Sequence, residues 1–334
     1  MSKNQKNFQQ GEVVAVDLGG THARFAIAQI SDGHVTKIEE PEIFKCADYD
    51  SLASAWKDFS KRLGRPVPRR VAISIACPVT GDILKMTNNP WTIYQSRLAK
   101  NLDIDDFIII NDFAAVANAV AHLGDEHFNH LSGPNEPLPS KGNISIVGPG
   151  TGLGVALLMR MDRAHYKVVQ TEGGHIGYAP EDEIEDKILR IVRKGLCRVS
   201  TERIVSGPGL VNIYTALAEI KGVKVEPKIE DRVLWTNAIE GKDELAVEAM
   251  ERFCLSLGAI SGDVALAHGA KALVIAGGVG RRIQNYLEKS GFADRFQAKG
   301  RFSDIMKSLP VKIITYPEPG LFGVAAAYAV KKEA

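Results

Sequence analysis

Short apolar runs along this chain alternate with stretches in which hydrophobic residues return every three or four positions, the pattern of strands set between helices. Glu12 to Asp17 reads as a buried strand, Leu18-Gly19-Gly20-Thr21 as a turn, and Arg24-Phe25-Ala26-Ile27-Ala28 as the returning strand of a hairpin. Val71 to Ile75 is a further strand. Phe107-Ile108-Ile109-Ile110 is a continuous apolar run of the kind found inside a sheet covered on both faces, and after Asn111-Asp112 it gives way to an Ala-rich helix over Phe113 to Leu123. A second hairpin follows the same plan: Ile144 to Val147, the turn Gly148 to Gly154, then Val155 to Leu158. VVAVDLGGTHARFAI and ISIVGPGTGLGVALL both run strand, glycine-and-threonine turn, strand, which points to an internal duplication of one α/β unit. Leu131 to Pro139, rich in Pro and Gly, reads as a surface loop just after a change of lobe. Helical patterns over Glu181 to Lys194 and Leu245 to His268, a strand Ala272 to Ala276 ending in Gly277-Gly278, and a last helix after Gly320 complete a mixed α/β chain.

A length of 334 residues exceeds what one core usually serves and predicts two domains with a cleft between them. Lys plus Arg (41) balances Asp plus Glu (40), and no basic run tracks a phosphate backbone, so a small-molecule partner is favoured over nucleic acid. The polar residues Met1 to Glu12 contain no apolar signal region, and no stretch approaches the ~20 apolar residues of a bilayer span. The expected location is the cytoplasm, with no membrane partner. Cys46, Cys77, Cys197 and Cys254 form neither a CxxC pair nor a Cys/His cluster and read as reduced core or surface thiols.

Chemistry is to be sought at the glycines. A strand ending in Asp17 and turning through Gly19-Gly20-Thr21 presents several backbone N–H groups to one spot, a nest that can hold phosphate oxygens, with Arg24 or the Thr21 hydroxyl able to add to it. The same glycines could simply make a hairpin turn. Gly150-Thr151-Gly152 repeats the geometry in the second hairpin, so two such turns could grip a polyphosphate from both sides. No GxxxxGK[ST] stretch occurs, which excludes the P-loop solution. Asp112, directly before an Ala-rich helix, is open to two readings: an N-cap accepting backbone N–H bonds, or a carboxylate placed to take a proton.

Asp17-Leu18-Gly19-Gly20-Thr21 is similar to the first phosphate motif of the sugar kinase, heat-shock-protein-70 and actin superfamily. Gly148 to Gly154 resembles its second phosphate motif, and Ala276-Gly277-Gly278-Val279-Gly280 its adenosine motif. Within that superfamily the strings Leu84 to Trp91, Ile110-Asn111-Asp112-Phe113, Thr171-Glu172-Gly173-Gly174-His175 and Glu202 to Gly209 resemble the bacterial glucokinase family, from about Val13 to about Ala329.

The resemblance implies a two-lobed actin-like ATPase (ribonuclease H-like) α/β fold, each lobe a mixed sheet flanked by helices. Residues 12–123 plus 313–334 would form the small domain and 124–312 the large one. It implies ATP-dependent phosphorylation of D-glucose at the 6-hydroxyl, with Asp112 as general base. Asn111, Asp112, Glu172, His175, Glu202, Asn88 and Asn89 would bind the sugar. Asp17, Gly19, Gly20, Thr21, Gly150, Thr151, Gly152, Gly277 and Gly278 would bind ATP, and Asp17 would anchor Mg²⁺ through water. A homodimer is implied as well. The related repressor and kinase family adds a cysteine cluster after the histidine to bind zinc; here only Cys197 follows within reach, so no zinc is expected. Rival readings are a kinase for another hexose, a non-enzymatic sugar-responsive regulator and an actin-like filament protein. Thr87 to Trp91 favours glucose among the hexoses.

Overall fold

The computed structural model describes residues 10–226 and 229–331. The polar residues 1–9 lie outside them. The chain divides into two compact units, Met1–Leu123 with Tyr316–Ala334, and Gly124–Thr315.

The first unit is built on a six-stranded sheet. Strands β1 (Gln10–Leu18), β2 (His22–Ser31), β3 (His34–Ile38) and β4 (Glu42–Lys45) are followed by helix α1 (Leu52–Arg62) and strand β5 (Arg70–Ile75). A small hairpin of β6 (Ile83–Lys85) and β7 (Thr92–Tyr94) leads to α2 (Gln95–Leu102), β8 (Asp106–Asn111) and α3 (Asp112–His122). The sheet order is β3-β2-β1-β5-β8, with β4 also on β2. β1 runs antiparallel to β2 and parallel to β5, which is parallel to β8.

Both faces of this sheet are buried, which is why its strands read as unbroken apolar runs. Val14 and Val16 of β1 pack with Phe25, Phe44, Trp56 and Phe59 on one face. Val13 and Ala15 pack with Leu321, Val324, Ala325 and Tyr328 on the other. Those last four belong to the C-terminal helix Pro319–Lys331, which returns to this unit and donates the Tyr328 hydroxyl to Asp106 Oδ2 at 2.6 Å.

The second unit repeats the plan. β9 (Phe128–Ser132), β10 (Gly142–Pro149), β11 (Leu153–Arg160) and β12 (Tyr166–Thr171) precede helices α4 (Glu183–Val192), α5 (Gly207–Lys221), α6 (Asp231–Ile239) and α7 (Glu244–Ala267). Then come β13 (Ala270–Ile275), the short helix α8 (Gly277–Arg282) and, after further short helical segments, β14 (Val311–Ile314). The sheet order is β12-β11-β10-β13-β14-β9. As in the first sheet, a glycine-turn hairpin (β10, β11) is flanked by one more antiparallel strand and, on its other side, by two parallel strands, here β13 and β14. Residues 313–315 fall in this unit and not with the C-terminal segment as expected, because Ile313 and Ile314 pair with β9 and Thr315 N donates to His127 O at 2.8 Å. No helix among the described residues is long and apolar enough to cross a membrane.

Candidate active site

In the first unit the parallel pairing brings three strand ends into one row. Leu18 pairs with Ile75, and Ile75 with Asn111. The turn after β1, the segment after β5 and Asn111-Asp112 after β8 therefore leave the sheet side by side at its carboxyl edge, where ligands bind in open α/β sheets. At the usual strand spacing, Asn111 stands about 10 Å from Leu18.

Asp17 is held from two strands. Ser74, its register partner on β5 and fully buried, donates its hydroxyl to Oδ1 at 2.6 Å. Arg24, its partner on β2, lies 3.4 Å from Oδ2 and reaches Glu318 at 3.5 Å. The turn itself is pinned by Gly19 N donating to His22 O at 3.0 Å and Cys46 N donating to Thr21 O at 2.9 Å. Arg24, which the sequence offered as a possible addition to the nest, is thus paired with carboxylates. Ser74 had no local sequence signal.

Asn88 and Asn89 occupy the loop of the β6–β7 hairpin, and that loop rests on the first glycine turn. Asn89 Nδ2 donates to Gly19 O at 2.9 Å, and its Oδ1 accepts from Trp91 N at 2.9 Å. The residue is buried and both polar ends serve the protein, so it positions the loop rather than offering its amide outward. Trp91 is buried too, its indole N–H donating to Tyr49 O at 2.8 Å. Asn88 is exposed, with its Cβ beside Gly20.

Asn111 caps α3: its Oδ1 accepts from Phe113 N at 2.9 Å and Ala114 N at 3.2 Å. The N-cap role that the sequence left open for Asp112 therefore belongs to Asn111. Asp112 is the first helical residue, half-buried, with Oδ1 accepting from Phe113 N at 2.8 Å. The buried Cys77, just past β5, has its thiol pKa pushed up by burial and then by the Asp112 charge, so the two groups are neighbours.

In the second unit the residues singled out converge on Leu153. Its N–H donates to Glu202 Oε2 at 2.9 Å, while its carbonyl lies against Gly174. Glu172 and His175 flank that glycine, with exposed side chains. Thr171 fixes their segment to the second hairpin by donating to Val155 O at 2.8 Å and accepting from Gly173 N at 3.2 Å. The His175 carbonyl accepts from the Arg198 guanidinium. Gly152 lies close against Glu202: a Cβ there would stand 2.4 Å from Oε2, and the end of that flexible side chain would have to shift. Thr151 is exposed, and Gly150 O accepts from Gly207 N at 2.7 Å, which ties the turn to the start of α5.

Gly277 follows β13 with φ +84, and a Cβ there would fall 2.5 Å from Pro149 O. The glycine pair after β13 is thus packed on the second turn through its first member. The second, Gly278, has open space where a Cβ would be.

No group of three or more His, Cys, Asp or Glu able to hold a metal ion occurs among the described residues. One carboxylate, Asp17, stands at the first turn. That donor set suits an ion such as Mg²⁺, which keeps its waters and takes most of its ligands from phosphates.

The glucokinase family model matches residues 14–331. The glucokinase of Zymomonas mobilis is 57% identical over 320 residues, covering 96% of this chain and 98% of that one. The glucokinase of Campylobacter jejuni subsp. doylei is 37% identical over 334 residues, covering 98% and 96%. Among solved structures, a glucokinase from an Antarctic psychrotroph superposes with TM-score 0.82 at 32% identity, over 95% of this chain and 98% of that one. A ROK family glucokinase from Streptomyces griseus, in complex with glucose and AMPPNP, shares the fold at TM-score 0.62 and 18% identity, over 96% and 100%. With a family match spanning nearly the whole chain and full-length relatives at this identity, the chain belongs to the glucokinase family.

Proposed function

We propose that this chain transfers the γ-phosphate of ATP to the 6-hydroxyl of D-glucose, with Asp112 as general base. The observation that carries it is the row of strand ends in the first unit, which has a half-buried carboxylate at a helix start on the same sheet edge as a glycine turn suited to phosphate oxygens. The family membership and the named activities of the relatives support the same reading.

In this reading the exposed side chains of Asn88, Glu172 and His175, with Asn111, Asp112 and Glu202, bind the sugar hydroxyls. Carboxylates accept from them, and an amide or imidazole N–H donates. Asp112 takes the proton of the 6-hydroxyl as that oxygen bonds to the γ-phosphorus, the bond from phosphorus to the bridging oxygen breaks, and ADP leaves. The backbone N–H groups of Gly19 to Thr21 and Gly150 to Gly152 hold phosphate oxygens, and the backbone at Gly277 and Gly278 meets the adenosine. Mg²⁺ anchored by Asp17, when bound, neutralises charge on the phosphates. Alcohol transfer competes with hydrolysis, since water is the smaller nucleophile, so a site completed only around sugar suppresses the waste.

The test is ATP-dependent phosphorylation of a hexose panel with Mg²⁺, following sugar phosphate and free phosphate for the parent and Asp112→Ala. Glucose 6-phosphate formation that falls about 10²- to 10⁴-fold in the variant is expected. Preference for another hexose would keep the base and move the specificity. No sugar phosphate from any hexose would sink the kinase reading.

A further inference from the structure

Glu202 stands where two functions meet. One carboxylate oxygen accepts the N–H of Leu153, the first residue of β11, directly after the Gly150–Gly152 turn assigned above to phosphate. The other has no hydrogen-bond partner among the described residues, and no Lys, Arg or His is ion-paired with this carboxylate there. The placement is built on both sides. Thr201 N donates to Ile176 O at 2.8 Å, fastening the 200–203 segment to the stretch that follows His175, and Gly207 N, at the start of α5, donates to Gly150 O, fastening the chain just beyond that segment to the turn. The bare Cα of Gly152 provides the space into which the carboxylate fits.

A carboxylate on this spot does to the turn what a phosphate oxygen would do: it satisfies a backbone donor and brings a negative charge. A second anion arriving at the same turn meets an occupied N–H and like-charge repulsion. Sugar hydroxyls are neutral donors. Hydrogen-bonded to Glu202, they disperse its charge and compete for the lone pairs now directed at Leu153.

We infer that Glu202 gates the second phosphate turn, holding its backbone donor while no sugar is present and releasing it to the nucleotide when sugar hydroxyls take the carboxylate. This rests on the functional reading above, and it adds that one side chain links sugar occupancy to nucleotide affinity within the second unit. Without sugar the gate stays shut, so hydrolysis is held down at the binding step as well.

The experiment is calorimetric titration of Mg²⁺ and the non-hydrolysable nucleotide AMPPNP into the parent, Glu202→Gln and Glu202→Ala, each with and without glucose. Glutamine keeps the size and an acceptor for Leu153 N–H while removing the charge, and alanine removes both, so the pair separates like-charge repulsion from occupancy of the donor. In the parent, glucose should tighten nucleotide binding about fivefold or more, the low end of ordinary coupling between sites. In Glu202→Ala, sugar-free affinity should rise to near the parent's glucose-bound value, glucose should add little, and sugar-free ATP hydrolysis should increase. Glu202→Gln should show a smaller sugar-free gain, from the lost charge alone, which guards against a folding defect peculiar to one variant.

A variant that binds AMPPNP no tighter than the parent without sugar overturns the gate. That arm contains no sugar, so it decides the gate even if the parent forms no glucose 6-phosphate, the result that would overturn the functional reading instead.

Discussion

Asn89 gives its side-chain amide to the carbonyl of Gly19 at 2.9 Å, across a separation of 70 residues, and takes the Trp91 N–H at its other end. The loop that carries Asn88 and the turn assigned to phosphate are thereby one piece of structure. Asn89→Ala strands a half-buried carbonyl and a buried N–H, a loss of about 1–3 kcal/mol. The expected result is a lower urea midpoint together with raised KM for both glucose and ATP. A rise in the glucose KM alone would mean that Asn89 contacts the sugar directly.

Ser74 fixes the orientation of Asp17 by a hydrogen bond to a carboxylate. Such bonds contribute about 1.5–3 kcal/mol, so Ser74→Ala should lower kcat/KM for ATP on the order of tenfold or more. Steady-state kinetics at varied Mg²⁺ check this: the variant should need more Mg²⁺ for half-maximal rate, and chelation should abolish turnover in both proteins. An unchanged Mg²⁺ requirement would detach Asp17 from the metal.

Burial at the end of α7 pushes the pKa of His268 below its ordinary 6.5, with its ring Nδ1 2.9 Å from the buried Ser145 hydroxyl. The folded value lies below the unfolded one, so the unfolded chain binds more protons as pH falls through 6.5, and stability is lost in that direction. Urea unfolding between pH 7.5 and 5 should show a stability loss that His268→Gln diminishes. The two proteins keeping the same slope would remove His268 as its source.

Of the four cysteines, Cys46, Cys77 and Cys254 are buried and Cys197 is exposed. Titration with a thiol reagent should modify one site fast in the native protein and all four in denaturant, and Cys197→Ser should abolish the fast phase. Slow reaction at Cys77, beside Asp112, should be retarded by bound substrates if the two groups share the site.

The glycine turns could be read from the chain because their signal is local: small residues between two apolar runs, repeated once. The β10–β11 hairpin, the covered strand through Phe107 to Ile110 and the helix after Asn111 were legible for the same reason. What escaped is the wiring. Ser74 meets Asp17 over 57 residues and Leu153 meets Glu202 over 49, contacts set by strand register and loop packing that no spacing rule encodes. Asn89 carried a sugar-binding expectation by its place in a motif, and only burial separates its tethering role from that of exposed Asn88. Of the two readings open for Asp112, the capping one falls to its neighbour Asn111, since Asn and Asp cap equally well and only the backbone angles choose between them.

The return of the C-terminal helix has a bearing on how the protein is made. The second unit is one continuous segment, so all of its strands have been synthesised before Pro319. The first unit begins earlier yet must wait for Leu321, Val324 and Tyr328 to cover the face of its sheet formed by Val13, Ala15 and Ala72. During synthesis the earlier unit therefore exposes an apolar sheet face for the time needed to translate the later one, some tens of seconds at about 5–20 residues per second. The portion made first is completed last, and the strands bearing Asp17 and Asn111 are the part of the nascent chain that most needs shielding from aggregation.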